Sequence, residues 1–192
     1  MKIAVSGLSY QQSGTEWCKV GFILILAPKL KLIKVINVIG TYECKADVKG
    51  RVMFPAALKK QMKNVLADGF VIKRSVFNKC LEIHPMSEWE KVLIQVNKLN
   101  RFVKKNNDFI RSYMSGLKVV EVDSAGRFLI PKDLFGFADL HKELVLSSSV
   151  NMIEIWDKDM YETSVADTLV DFGNLAEDVM GNQPRDESDG IS

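Results

Sequence analysis

Short apolar blocks, separated by turn-forming residues, recur along the chain in an order that is used twice. Val52-Met53-Phe54, Phe70-Val71-Ile72 and Leu81-Glu82-Ile83 form one set; Phe128-Leu129-Ile130, Leu144-Val145-Leu146 and Ile153-Glu154-Ile155 form the other. Blocks this short, bounded by Gly, Pro, Asn and Asp, predict strands. In each set the first block ends at a proline, Pro55 or Pro131. A first helical turn tolerates proline because its missing N–H would have no partner there. Short helices are therefore expected over Pro55 to Met62 and Pro131 to Phe137. Upstream, Gly40 to Ala46 and Leu117 to Val122 read as the strands that lead in. The order strand, turn, strand, short helix, strand, strand is expected twice.

Between the two sets the spacing changes. Trp89, Val92, Leu93, Val96, Leu99 and Val103 recur every three or four residues, which predicts an amphipathic helix from about Ser87 to Lys105. Asn106-Asn107 reads as an interruption, with a second helical piece from Asp108 to Met114. The apolar stripe fits a core or a subunit interface. The opposite face carries Lys91, Lys98, Arg101, Lys104, Lys105 and Arg111, a solvated face that could also touch phosphates. Past Tyr161, the stripe Val165, Leu169, Phe172, Leu175 and Val179 predicts a helix to about Met180, with Gly181 as its stop. Residues 182–192 are polar and are expected to be disordered. The organisation read from these patterns is a first repeat over 38–88, a helical bridge over 89–116, a second repeat over 117–161, a C-terminal helix over 162–181 and the tail. Residues 1–37 have no counterpart in the second repeat and are expected to lie outside the fold.

The turns carry the candidate chemistry. Asp47-Val48-Lys49-Gly50-Arg51 returns as Asp123-Ser124-Ala125-Gly126-Arg127. In D-x-x-G the Asp can accept hydrogen bonds from backbone N–H groups ahead of it, and the Gly can take positive φ. This predicts a short hairpin, a type I turn with a glycine bulge. Asp47, Gly50, Asp123 and Gly126 are read as turn-holding residues. Arg51 and Arg127 offer planar donor forks that suit guanine or phosphate. Lys49 adds a second cation at the first tip, where the second copy has Ala125, so the first turn is expected to be the stronger binder.

Charge sharpens this picture. Residues 38–118 carry sixteen basic and seven acidic residues, a net +9, whereas residues 119–192 carry five and sixteen, a net −11. A basic middle beside an acidic end points to a polyanionic partner or to pairing between the halves. Three widely spaced cysteines, Cys18, Cys44 and Cys80, argue against a disulfide framework or zinc site and for a reducing setting. His84 and His141 sit in no ligand-like arrangement, so no metal and no cofactor are expected. The apolar run Val20 to Pro28 is far short of the ~20 residues a membrane span needs. Its basic residues follow it rather than precede it, so neither export nor membrane insertion is expected. No nucleophile with a base, metal spacing or phosphate-cradling loop appears, so an enzyme and a small-molecule substrate are not expected.

Two D-x-x-G-R turns, each followed by an apolar triplet and a proline and separated by a basic helical bridge, resemble the MraZ family of bacterial transcriptional regulators, with tandem SpoVT-AbrB-type domains. The resemblance covers about Val38 to Met180. It implies an α+β fold in which two swapped-hairpin, AbrB-like β units form one pseudo-dimeric barrel with bridging and C-terminal helices. It also implies a homo-oligomer, arranged as a ring, that binds double-stranded promoter DNA at repeated boxes ahead of the cell-division and cell-wall genes. The expected place is the cytoplasm, at the nucleoid. By motif match, Asp47 and Arg51, and Asp123 and Arg127, take the signature positions. Family members usually begin close to the first strand, so residues 1–34 read as an extension from an upstream translational start. A reading from a different class is an oligomeric scaffold or antitoxin-like module that binds protein through its acidic C-terminal part.

Overall fold

The computed structural model describes residues 37–181. The expectations for an extension before Val38 and for a disordered tail after Gly181 lie outside the described residues. Each repeat follows the expected order. The first runs β1 (Thr41–Lys45), β2 (Arg51–Met53), α1 (Ala56–Gln61), β3 (Phe70–Arg74) and β4 (Leu81–Pro85). A single 3-10 turn, Leu66–Asp68, precedes β3. The bridge consists of α2 (Met86–Asn97) and α3 (Lys104–Tyr113). The second repeat supplies β5 (Lys118–Val120), β6 (Arg127–Leu129), α4 (Lys132–Phe137), β7 (Glu143–Ser149) and β8 (Met152–Asp157). The chain continues through α5 (Lys158–Leu169), α6 (Phe172–Ala176) and a π-helical turn, Glu177–Gly181.

Strand pairing crosses between the repeats. β1 pairs antiparallel with β7, β5 with β3, and β2 with β6. The larger sheet has the order β1-β7-β8-β4-β3-β5, and exchanging each strand for its counterpart returns the same order read from the other end. β2 and β6 form a separate two-stranded ribbon. The eight strands among the described residues thus divide between two sheets and do not close into the barrel that the family resemblance implied. Within the first repeat the hairpin at the turn is reduced to one bridge, Ala46 to Val52.

Alternation sets the core. Val52, Phe54, Phe128 and Ile130 are buried beneath the ribbon, and Phe54 meets Phe70 and Phe128 with ring centroids 5.7 Å apart in both cases. Leu58 and Leu134, from the two short helices, occupy matching places in the same core. Each such fully buried side chain contributes about 1.5–3 kcal/mol. Ionic groups are buried too, three of them in one cluster. Lys73 donates to Glu82 at 2.8 Å, and His84 lies 3.1 Å from the same Glu82 oxygen. Burial alone would raise Glu82, but hydrogen bonds from His84 and Lys73 and the Lys73 charge hold it at about 2.

Two helical expectations are corrected. The bridge breaks at residues 98–103, not at Asn106-Asn107. Asn100 accepts from the Phe102 N–H at 2.9 Å and so turns the chain. Asn106 and Asn107 sit inside α3 and donate back to the carbonyls of Asn100 and Arg101. The C-terminal helix is not continuous either: it breaks between α5 and α6. Neither α5 nor α6 contains a buried residue, so among the described residues the stripe from Val165 to Leu175 packs on no core.

Candidate nucleic-acid interface

Both turns take the expected form. In the first, the Gly50 N–H reaches the Asp47 carbonyl at 2.9 Å, and Gly50 has φ +79°. Asp47 Oδ1 accepts from the backbone N–H groups of Lys49 and Arg51, each at 2.9 Å. Its Oδ2 accepts from Arg51 Nε and Nη2, both at 2.7 Å. The second turn repeats this: Gly126 donates to the Asp123 carbonyl at 2.8 Å and has φ +80°. Asp123 accepts from the Arg127 backbone at 2.9 Å and from Nε and Nη2 at 3.0 Å. Both carboxyls are held below the ordinary range, chiefly by the backbone hydrogen bond from the motif arginine.

Each turn is completed by the other repeat. The Gly50 carbonyl accepts from Ile130 N–H at 3.0 Å, and the Gly126 carbonyl accepts from Phe54 N–H at 2.9 Å. These bonds lock the ends of the β2–β6 ribbon. In that ribbon Arg51 lies opposite Leu129 and Met53 opposite Arg127. Side chains alternate across a strand, so Val52 and Phe128 point into the core. Arg51, Met53, Arg127 and Leu129 share the outer face, with Met53 and Leu129 each half exposed. The structure therefore brings the two sequence-predicted arginines onto one face of one ribbon. Each guanidinium uses Nε and Nη2 on its own Asp, which leaves Nη1 free to donate outward.

The surroundings of the turns differ. Beside the first, a cavity of about 710 Å³ is lined by Lys49, Lys132, Lys142 and His141 over the side chains of Ile130 and Phe135. A Cβ placed on Gly50 would meet the Ile130 carbonyl at 3.1 Å. At the second turn, Gly126 is buried, and a Cβ placed on it would fall 2.5 Å from Lys59 Nζ. Lys59 is carried by α1 of the first repeat and has no ion-pair partner among the described residues. It occupies the place in its repeat that Phe135 occupies in the other. The sequence reading missed Lys59, Met53 and Leu129. Period-two alternation through Arg-Val-Met-Phe-Pro and Arg-Phe-Leu-Ile-Pro would have found the last two.

No group of three or more His, Cys, Asp or Glu side chains suited to a metal lies among the described residues. Burial pushes the thiols of Cys44 and Cys80 up to about 11 and about 12, far from the thiolate state a nucleophile needs. His84 is buried against Glu82, and His141 leans on Asp157 with Nδ1 3.0 Å from Oδ2. Among the described residues no helix is long and apolar enough to cross a membrane.

Comparison with known proteins agrees with the duplicated architecture. The MraZ protein family profile matches twice, over residues 38–112 and 114–180. The chain is 60% identical over 157 residues to a transcriptional regulator MraZ of Christiangramia forsetii, covering 82% of this chain and 99% of that protein. It is 59% identical over 151 residues to the protein of the same name in Flavobacterium psychrophilum, covering 79% and 96%. A third, from Cytophaga hutchinsonii, is 35% identical over 138 residues, covering 72% and 91%. The chain belongs to the MraZ family.

Proposed function

We propose that this MraZ-family chain regulates transcription by laying the outer face of its β2–β6 ribbon on double-stranded DNA. The observation that carries the reading is the placement of Arg51 and Arg127 on one ribbon face, each pre-oriented by its own Asp. A two-stranded ribbon fits the major groove, which is about 12 Å wide. Arg held by a carboxylate arrives with less conformational freedom to lose, so its remaining donors meet guanine or phosphate at lower entropic cost. Lys49 flanks the first turn and Lys59 the second, supplying charge for the phosphates on either side. Met53 and Leu129 between them offer apolar contact of the kind that thymine methyl groups accept.

In this reading the two repeats act as one pseudo-dimeric unit, since no strand of the ribbon is complete without the other repeat. One unit makes few contacts, so copies act together on repeated boxes, where linked sites raise effective concentration. The exposed stripe Leu169, Phe172, Leu175 and Val179, set among acidic residues, supports self-association into a ring. The promoter of the cell-division and cell-wall genes is the target, and the cytoplasm, at the nucleoid, the place of action. A gel-shift titration with the protein's own upstream DNA at two salt concentrations tests this. The expected result is tight binding that weakens steeply with salt and is nearly abolished by Arg51→Ala in a folded, assembled protein. Salt-insensitive or absent binding would favour instead a scaffold that uses its acidic C-terminal arm on protein.

A further inference from the structure

We propose that the cavity between β3, α3 and α4 is a binding site for a small tetrahedral oxyanion of the phosphate type, with Arg74 as its anchor. The cavity holds about 270 Å³, several times the roughly 30 Å³ a water occupies in the liquid. Its polar lining comes from Arg74 and Ser75 at the end of β3 and from Ser112, Tyr113 and Ser115 at the end of α3.

Arg74 is held rather than loose. Its guanidinium carbon lies 4.7 Å from the centre of the Phe137 ring, contributed by α4. Gly116 also approaches it closely: a Cβ added there would come within 3.0 Å of Nε and 3.4 Å of Cζ. Gly116 has φ +76°, so both its conformation and this close approach call for glycine. Pinned in this way, Arg74 keeps its Nε hydrogen out of water and without an acceptor. No carboxylate pairs with it among the described residues.

The orphan Nε faces no open space, so it fixes the guanidinium rather than serving the cavity; Nη1 and Nη2 are not buried, have no protein partner among the described residues, and are the donors a ligand would meet. The available chemistry selects the ligand. A guanidinium fork matches two oxygens of a phosphate. The Ser112 and Ser115 hydroxyls make no side-chain hydrogen bond among the described residues and can donate to further oxygens. A tetrahedral ion directs its oxygens out of one plane, which suits donors spread over β3 and α3 better than the two coplanar oxygens of a carboxylate.

The site is separate from the ribbon. β5 lies beside β3 with Lys118 opposite Ile72 and Val120 opposite Phe70, so the chain leaves for the second turn at the end remote from Arg74 and Gly116. An oxyanion here would touch the first repeat, the bridge and the second repeat together, and so brace α3 between them.

Calorimetric titration of the full chain with inorganic phosphate, at ionic strength held constant with chloride, tests the assignment. Saturable binding of one phosphate per chain is expected. Arg74→Met, which keeps an unbranched side chain but removes the guanidinium, should weaken it at least about tenfold. Ser112→Ala with Ser115→Ala changes only exposed side chains and should weaken it several-fold, which keeps the test open if Arg74→Met fails to fold. Arg51→Ala with Arg127→Ala should leave it unchanged, separating this cavity from the DNA-facing arginines. Heats that do not saturate, or that are the same in the Arg74 variant as in the wild type, would overturn the site. Acetate binding as tightly as phosphate would overturn its preference for a tetrahedral ion. These readouts use no DNA, so they stand apart from the test of the ribbon.

Discussion

The two turns share one skeleton and differ in what stands beside it. Each has an Asp that takes two bonds from its arginine side chain, a glycine at φ near +80°, and a carbonyl bonded by the opposite repeat. The first turn carries its own second cation, Lys49, above an open cavity floored by Phe135. The second has Ala125 at its tip and borrows a cation, Lys59, from the first repeat. Turn geometry is thus local, whereas the charge around a turn is not. The second turn lies in the acidic stretch of the sequence but next to a basic helix in space. Charge counted along the chain understates it.

The strongest way to break this comparison is to remove the arginines. Arg51→Ala and Arg127→Ala should each cost about 1–3 kcal/mol of DNA affinity, with the larger loss at Arg51. Equal losses in a gel-shift series would make the turns equivalent readers. Next come the glycines. Alanine at either site accepts a left-handed backbone at roughly 1–2 kcal/mol, read by chemical denaturation. Gly50→Ala should cost more than Gly126→Ala, because it meets the fixed Ile130 carbonyl whereas Lys59 can swing its tip away.

Smaller effects sharpen the borrowed charge. Lys59→Met should lower the salt slope of binding by about 0.9, the amount expected for one phosphate contact. Adding Ala125→Lys should restore the slope, since it recreates the first turn's own arrangement. An unchanged slope in Lys59→Met would return the second turn to a purely structural role. The smallest effect is acid sensitivity. The folded carboxyls of Asp47 and Asp123 titrate below their unfolded values. Each turn therefore contributes its stability in full above the ordinary carboxylate range near about pH 4, and loses it as pH falls through the depressed folded value. Asp47→Asn and Asp123→Asn should flatten the acid limb of an unfolding curve by equal amounts.

Much of this was legible before any coordinates. The repeat, the Asp-Gly-Arg turns and the proline-led helices all follow from local chemistry, and they stand where residue types put them. Strand partners were not legible in the residue patterns themselves, and only the family resemblance pointed to exchanged hairpins. Because the repeats carry matching apolar patterns, β2 fits β6 as well as it would fit β1, and only the three-dimensional arrangement chooses. The apolar triplets hold a finer pattern than their composition shows: Met53 and Leu129 alternate outward beside the arginines. Asn106-Asn107 looked like a helix breaker; the asparagines instead tie down a loop that Asn100 had already turned.

The exchange of strands also sets a timetable for synthesis. Thr41 in β1 finds its partner at Ser147 in β7. At the usual elongation rate of about 5–20 residues per second, the first strand therefore leaves the ribosome on the order of ten seconds before its neighbour exists. Through that interval the nascent chain displays an unpaired edge and half of a core, the state in which chaperones bind and in which two nascent chains on one messenger can trade strands with each other. A fragment that stops after β4 would keep that edge open for good, and its natural remedy would be a second copy of itself.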